Sequence, residues 1–219
     1  MTNLSPARLV PTNGRVRIAL TGGPGGGKTT AADLFRREIG DKVVVVPEAA
    51  TMLFSGGFPR VDNELASRAA QSAIFQVQRG LEDIQAAKFP GRILLCDRGT
   101  IDGSAYWPAG AGDFFAAQNT TLETELARYD AVIFFETAAA AGLAIEGGNP
   151  TRIEDLETAR ALDESLRTLW NGHERFVFVP HNPSFFKKIT FGLAAIESIV
   201  AQLARGRELG ATPGERAAG

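Results

Sequence analysis

The chain has little of what several protein classes require. It contains a single cysteine, Cys96, among 219 residues, so an intramolecular disulfide framework is excluded and a reducing compartment is expected. No apolar run approaches the length of a membrane span, and residues 1–14 lack the apolar segment of a secretory signal. The 23 Lys and Arg nearly balance the 25 Asp and Glu, which gives a net charge of −2 and no basic footprint for nucleic acid or anionic membrane. These absences favour a cytoplasmic enzyme that binds neither nucleic acid nor membranes.

Metal-ligand clusters and one nucleotide-reading motif are also missing. The two histidines, His173 and His181, are isolated and lack the spacing of metal ligands. The N-K-x-D motif that Ras-type GTPases need to read a guanine base does not occur. Cys96 lies in an apolar run, where buried packing is expected rather than reactivity.

Glycine is concentrated in one stretch, 21-TGGPGGGKTT-30, which follows an apolar run. Its spacing matches the pattern G-x-x-x-x-G-K-[ST], in which consecutive backbone N–H groups turn inward around a phosphate. The lysine of this pattern reaches the β- and γ-phosphates, and the hydroxyl that follows it binds Mg²⁺. The stretch therefore predicts ATP binding, with GTP as an alternative that the motif leaves open. The expected nucleotide-binding residues are Gly22, Gly23, Pro24, Gly25, Gly26, Gly27, Lys28, Thr29 and Thr30.

The flanking sequence supplies the context that this motif requires. The run 16-VRIAL-20 is rich in β-formers, and 30-TAADLFRREIG-40 has apolar residues at helical spacing before a terminating glycine. A strand before the loop and a helix after it would direct the positive end of the helix dipole at the phosphates.

Apolar runs and helical patterns alternate along the rest of the chain. This order predicts an α/β fold of the P-loop NTPase type, with a five-stranded parallel sheet flanked by helices and right-handed crossovers. The expected strands are Val16–Leu20, Val43–Val46, Ile93–Asp97, Ala131–Glu136 and Phe176–Val179, and the expected helices cover about 29–39, 62–88, 121–129, 154–172 and 184–204. We expect a flexible segment at 1–14, one domain at 15–204 and a disordered tail at 205–219.

Charged residues follow several of these strands, at the sheet edge where ligands bind in such folds. Glu48 follows the second strand, the cluster 97-DRGTID-102 ends the third, and Glu136 ends the fourth. The next stretch, 137–155, contains glycines and leads to Arg152, which suits a mobile lid. Basic residues follow the fifth strand in 180-PHNPSFFKK-188. The pattern predicts that acidic and basic groups meet near the phosphates.

The long helix expected at 62–88 carries two stripes at three-and-four spacing. One is apolar; the other consists of Gln71, Phe75, Gln78 and Glu82. Amides interleaved with an aromatic ring could hydrogen-bond and stack a flat heterocycle. A solvated helix face accounts for the same pattern equally well.

Together the segments 22-GGPGGGKTT-30, 46-VPEAA-50, 74-IFQVQRGLED-83 and 97-DRGTID-102 resemble the small AAA-type P-loop domain family. That family is related to ribosylnicotinamide kinase and more distantly to deoxynucleoside kinases. The resemblance spans roughly residues 15–200 and implies a nucleoside-kinase-like fold with a lid. In deoxynucleoside kinases an E-P motif supplies the general base, and here Glu48 matches it with alanine in place of proline. Their D-R-S motif matches Asp97 and Arg98, with Gly99 in place of serine.

The resemblance implies an ATP- and Mg²⁺-dependent kinase for a small hydroxyl-bearing metabolite, a nucleoside or ribosyl compound. Its expected catalytic residues are Lys28, Glu48, Asp97, Arg98 and Arg152; Thr29 and Asp97 would hold Mg²⁺; and Glu48, Phe75, Gln78 and Asp102 would contact the acceptor. Asp102 could instead cap a helix. The alternatives are a nucleotide switch that controls a protein partner, with Glu48 positioning water, and a binding module without turnover.

Overall fold

The computed structural model describes residues 16–142 and 155–210, with side chains given except for Ala141 and residues 203–210. The expected N-terminal segment, Arg152 and residues 143–154 of the expected lid lie outside the described residues. So does the chain after Gly210.

A five-stranded parallel sheet forms the centre of the domain, as the alternating pattern predicts. The strands are β1 (Val16–Thr21), β2 (Val43–Val46), β3 (Ile93–Asp97), β4 (Ala131–Phe135) and β5 (Phe176–Val179). Their order across the sheet is β2-β3-β1-β4-β5, so β1 lies between the two halves. The order of the strands reverses beside β1, and this is where parallel α/β sheets bind ligands.

Seven helices connect and cover the strands of the described chain. They are α1 (Lys28–Ile39), α2 (Ala49–Ser55), α3 (Glu64–Lys88), α4 (Ala111–Ala117), α5 (Leu122–Leu126), α6 (Leu156–Trp170) and α7 (Phe185–Gly210). Asparagine and aspartate caps start two of them: Asn63 accepts from the Ala66 N–H, and Asp155 accepts from the Thr158 N–H, each at 2.8 Å. Within the described ranges, none of the helices has the length and apolar character that a membrane span needs.

The strands are buried on both faces, which explains their continuous apolar sequences. On one face, Ile18, Leu20 and Ile133 pack with α1 and α7. On the other face, Ala19, Cys96 and Val132 pack with α3 and α6. Cys96 is fully buried, and burial raises the pKa of its thiol well above the usual value, which is consistent with a packing role.

The structure corrects several of the sequence-based bounds. α2 and α4 are not among the expected helices, and α5 covers only part of the helix expected at 121–129. β4 ends at Phe135, so Glu136 follows the strand rather than ending it. α7 continues to Gly210, so residues 205–210 of the expected disordered tail are helical.

Strand register brings the ends of β1, β2 and β3 to the same edge of the sheet. Leu20 pairs with Asp97 of β3, and Val46 pairs with Cys96. The glycine-rich loop after β1, Glu48 after β2 and Arg98 after β3 therefore begin at one level. This edge holds the candidate site.

Candidate active site

The loop between β1 and α1 follows a path that only glycine permits at two positions. Gly22 has φ 131°, and a Cβ there would lie 2.1 Å from the Phe135 carbonyl oxygen. Gly27 has φ 83°, and a Cβ there would lie 2.7 Å from the Phe185 ring. Both conformations lie in the region that side chains disfavour, so the glycines bring the loop against β4 and α7.

Lys28 folds back inside this loop, where the motif requires it. The residue is only 2% exposed, and its Nζ donates to the carbonyls of Gly22 at 2.8 Å and Gly23 at 2.7 Å. The loop thus encloses a buried ammonium group. A site of this kind suits an anion, since the lysine and the loop N–H groups are all donors.

Two buried side chains that the sequence analysis did not single out support the loop from outside. Asp163 of α6 accepts from the N–H of Gly23 at 2.8 Å and from the N–H of Thr137 at 3.0 Å. The Thr137 hydroxyl donates to the Pro24 carbonyl. Burial raises the pKa of the Asp163 carboxyl, and the two N–H donors oppose that effect. The available signal was an aspartate on the buried face of α6, with Ala159 and Leu166.

Lys188 of α7 is a second buried cation at the loop. Its Nζ donates to the Gly26 carbonyl at 2.8 Å and to the Glu136 carbonyl at 2.6 Å. Burial lowers the pKa of Lys188 to about 8, although Asp163 and Glu136 act to raise it. Lys188 therefore ties α7 to both the loop and the end of β4.

The side chains of Thr29 and Asp97 lie together. Burial and then the charge of Glu48 raise the pKa of the Asp97 carboxyl, and a hydrogen bond with the Thr29 side chain opposes them. Asp97 Oδ1 is buried and has no hydrogen-bond partner among the described residues. An oxygen left in this state suits a hard cation. The described residues contain no cluster of three or more acidic, histidine or cysteine ligands, so a cation here would also need water or phosphate oxygens.

A chain of buried ion pairs joins the residues that follow β2 and β3. Arg98 Nε donates to Glu48 Oε1 at 2.5 Å, and Arg98 Nη1 donates to Asp102 Oδ2 at 3.0 Å and to the Gly22 carbonyl at 3.5 Å. Burial lowers the pKa of Arg98, but the charges of Tyr106, Glu48 and Asp102 outweigh it and raise the value well above the ordinary one. Arg98 adopts φ 80°, a strain of about 1–3 kcal/mol for a residue that is not glycine. These contacts hold it there.

Asp102 holds Arg98 in place and does not cap a helix. Its carboxylate accepts from the Thr21 hydroxyl at 2.9 Å and from Trp170 Nε1 at 2.7 Å, in addition to Arg98. Among the described residues, the Asp102 carboxylate accepts no bond from a backbone N–H of the 3₁₀ turn that it begins. The capping alternative is therefore wrong.

A cavity of about 140 Å³ lies beside the loop, between α3 and the segments that follow β2 and β3. Its inner wall contains Glu48, Arg98 and Asp102, and α3 contributes Gln71, Phe75 and Gln78. α2 and the segment after it contribute Thr51, Phe54 and Arg60. The cavity thus brings together the expected base, one expected arginine and all the expected acceptor contacts.

Phe75, Gln78 and Glu82 of the second stripe of α3 are buried and Gln71 is half-buried, so the interpretation of this stripe as a solvated face is wrong. Phe75 is 1% exposed and Gln78 is 3% exposed. Gln78 accepts from the Ala49 N–H at 3.3 Å and donates to the Arg98 carbonyl at 3.3 Å, so it fixes the two segments that carry Glu48 and Arg98. Glu82 takes no part in the cavity wall; it accepts from Arg128 and from the Tyr129 hydroxyl, each at 2.7 Å.

Glu136 does not line the cavity. Its Oε2 accepts from the N–H of His181 at 2.8 Å, a contact that joins the loops after β4 and β5. Arg152 lies outside the described residues.

Gly99 illustrates how tightly the turn after β3 is packed. A Cβ at Gly99 would lie 2.6 Å from the Trp170 ring and 3.1 Å from the Tyr129 hydroxyl, which accounts for glycine where the related motif has serine. We expect Gly99→Ala to lower the free energy of unfolding by about 1–3 kcal/mol through overpacking. Gly80→Ala is the control, because nothing lies within 4 Å of that position in α3. Urea unfolding should show stabilisation for the control, and equal stability of both variants would contradict the packing argument.

Lys188 should make stability depend on pH in a defined direction. Its pKa is lowered from 10.5 to about 8, so between these values the unfolded chain binds a proton that the folded chain has lost. Stability then rises with pH in this window. The melting temperature of the wild type should therefore increase relative to that of Lys188→Met between a pH near 7 and a pH near 10. The exposed neighbour, Lys187→Met, is the control, and a constant difference for Lys188→Met would refute the expectation.

Comparisons with known proteins agree with this fold. A family described as AAA domain matches residues 17–185. A search of curated proteins found no match. The fold is similar to a crystal structure of NadR protein in complex with NAD and AMP-PNP, with a TM-score of 0.61 and 16% sequence identity. That match covers 85% of this chain and 50% of the other, so the chain spans about half the length of that protein. The chain belongs to the AAA domain family, and its P-loop is of the kind found in kinases and ATPases.

Proposed function

We propose that the chain transfers the γ-phosphoryl group of ATP, with Mg²⁺, to a hydroxyl of a small nucleoside or ribosyl metabolite. The observation that carries the proposal is the cavity beside the phosphate-binding loop, which holds a carboxylate and a guanidinium paired at 2.5 Å. Arg98 also reaches the Gly22 carbonyl of the loop, at 3.5 Å. An acceptor in the cavity would thus lie next to the phosphates. The NadR structure, which contains NAD and AMP-PNP, supports a nucleotide on this fold.

The glycine-rich loop and the residues around it would bind the phosphates of ATP. On nucleotide binding, Lys28 would exchange the carbonyls of Gly22 and Gly23 for oxygens of the β- and γ-phosphates. Thr29 and Asp97 would hold Mg²⁺, directly or through water. The ion, when bound, neutralises charge on the phosphates and orients them. Asp163 and Lys188 would keep the loop in its binding shape through the contacts to Gly23 and Gly26.

The residues of the cavity would bind the acceptor and take its proton. Glu48 would accept the proton of the acceptor hydroxyl, whose oxygen then bonds to the γ-phosphorus as the bond from that phosphorus to the β-phosphate oxygen breaks and ADP leaves. The Glu48 carboxylate accepts from Arg98 Nε at 2.5 Å, which fixes its position in the cavity. Arg98, with Arg152 from the expected lid, would neutralise charge on the transferring group. Phe75 would contact the acceptor from α3, while Gln78 and Asp102 position the groups that touch it.

A metabolite screen with γ-labelled ATP tests the proposal. Transfer of label to an organic phosphate is the expected result. Label found only in inorganic phosphate, in a reaction that a protein partner accelerates and no metabolite does, would refute the kinase and support the nucleotide switch. Absence of any released label would leave a binding module without turnover and would equally refute the proposal.

Lys28→Ala should abolish turnover and weaken binding of a non-hydrolysable ATP analogue, since the phosphates lose a buried ammonium donor. Charged hydrogen bonds contribute about 1.5–3 kcal/mol, so the dissociation constant should rise by roughly 10- to 100-fold in calorimetry. The exposed Lys42→Ala, in the turn between α1 and β2, should change neither quantity. Unchanged affinity in Lys28→Ala would remove the nucleotide assignment.

Glu48→Gln should bind ATP normally and lose phosphoryl transfer. The amide keeps the shape of the side chain but cannot take a proton, and a general base contributes about 10²- to 10⁴-fold to the rate. Transfer to the acceptor found in the screen is the measurement, and Glu64→Gln, an exposed carboxylate on α3, is the control. Without an acceptor, hydrolysis should be slow in both the wild type and Glu48→Gln. Rapid acceptor-independent hydrolysis that Glu48→Gln abolishes would contradict the role of Glu48 as the base of a kinase.

A further inference from the structure

One wall of the cavity is formed by α2 and the segment after it. This wall ends at the guanidinium of Arg60. Arg60 lies over the ring of Phe54, with its guanidinium carbon 3.8 Å from the ring centroid, and both side chains line the cavity. Arg60 is exposed, whereas Glu48, Arg98 and Asp102 are buried, so Arg60 marks the open end. Contact with an aromatic face uses the flat side of the guanidinium and leaves its edge N–H donors directed elsewhere.

The other charges of the cavity are already paired. Arg98 binds both Glu48 and Asp102 at the buried end. Arg60 has no carboxylate within 4.0 Å among the residues described. The cavity is therefore polarised, with the carboxylates at the reacting end and an arginine at the mouth.

Two of the other arginines stacked on aromatic rings differ from Arg60 in this respect, whereas Arg167, stacked over Phe178, likewise has no carboxylate within 4.0 Å among the described residues. Arg68 lies over Trp107 and also pairs with Asp113 at 2.7 Å. Arg92 lies over Phe89 and pairs with Asp41 at 3.9 Å. Each of these stacked arginines has a protein carboxylate to neutralise it. Arg60 has no such carboxylate among the described residues and lines the cavity instead.

We propose that the acceptor carries an oxyanion, either a carboxylate or a phosphate, on the side remote from the reacting hydroxyl, and that Arg60 binds this group. The proposal rests on the proposed function. An acceptor whose hydroxyl meets Glu48 extends from the reacting end toward the mouth, where the guanidinium edge matches the two oxygens of a carboxylate or phosphate. Arg60 thereby selects anionic metabolites over neutral nucleosides.

Fractionating the acceptors by charge tests this selection. A small-molecule extract is divided on an anion-exchange resin, and each fraction is incubated with the protein and γ-labelled ATP. Labelled organic product should arise from the retained, anionic fraction. Phosphatase treatment of that fraction before the assay distinguishes the two sources of the oxyanion: loss of the acceptor indicates a phosphate, and survival indicates a carboxylate.

Arg60→Gln then tests the residue with the acceptor so found. We expect its KM for the acceptor to rise by about 10- to 100-fold, while its KM for ATP stays unchanged, because a charge-assisted contact to one substrate is lost. Arg60→Lys should retain part of the affinity for the acceptor, because lysine keeps the positive charge but lacks the paired N–H donors of the guanidinium. Arg92→Gln, a stacked arginine outside the cavity, should behave as the wild type.

The outcomes separate this inference from the kinase assignment. Label transfer to an acceptor in the unretained fraction would overturn the anionic acceptor and leave the kinase standing. An anionic acceptor whose KM is unchanged in Arg60→Gln would overturn the role of Arg60. Absence of labelled organic product from every fraction would overturn both, because the inference depends on phosphoryl transfer.

Discussion

The ion pair between Glu48 and Arg98 is the contact on which the rest of the site depends. It joins the segment after β2 to the segment after β3, and Asp102 extends it to Thr21 of β1 and Trp170 of α6. Four parts of the fold therefore meet through one guanidinium. Removing one partner of a buried pair leaves an unpaired charge at a cost of about 3–5 kcal/mol, so the pair constrains the geometry strongly whatever its net contribution to stability. The same constraint keeps a carboxylate beside the phosphate-binding loop.

Buried charged side chains of both signs hold the loop in its conformation. Lys28 and Lys188 donate to its carbonyls, while Asp163 accepts from the N–H of Gly23. Each ion is desolvated, and each satisfies backbone groups that would otherwise be buried without partners. These contacts fix the backbone path of the loop before an anion enters, and Lys28 would then exchange its two carbonyl partners for the anion. The cost of ordering the backbone of the loop is met during folding rather than on binding, which is how preorganisation raises affinity.

The sequence predicts the local parts of this arrangement and misses the long-range ones. The glycine spacing identified the loop, and continuous apolar runs identified all five strands, because both patterns depend on neighbouring residues. Asp163 and Lys188 contact the loop across 140 and 162 residues, and no local spacing encodes that. The helical spacing predicts the second stripe of α3 but not its burial, because burial depends on the strands and the turn that pack against the helix. α2 was missed because seven residues, 49-AATMLFS-55, give too short a window for helical periodicity.

The most direct measurement of the central claim is a double-mutant cycle on the Glu48–Arg98 pair. Glu48→Gln, Arg98→Gln and the double variant would be compared with the wild type by urea unfolding. If the pair organises the site, each single change is destabilising and the double variant loses less than the sum, with a coupling of about 1–3 kcal/mol. Additivity of the two changes within about 0.5 kcal/mol would show that the residues act independently and would contradict the account.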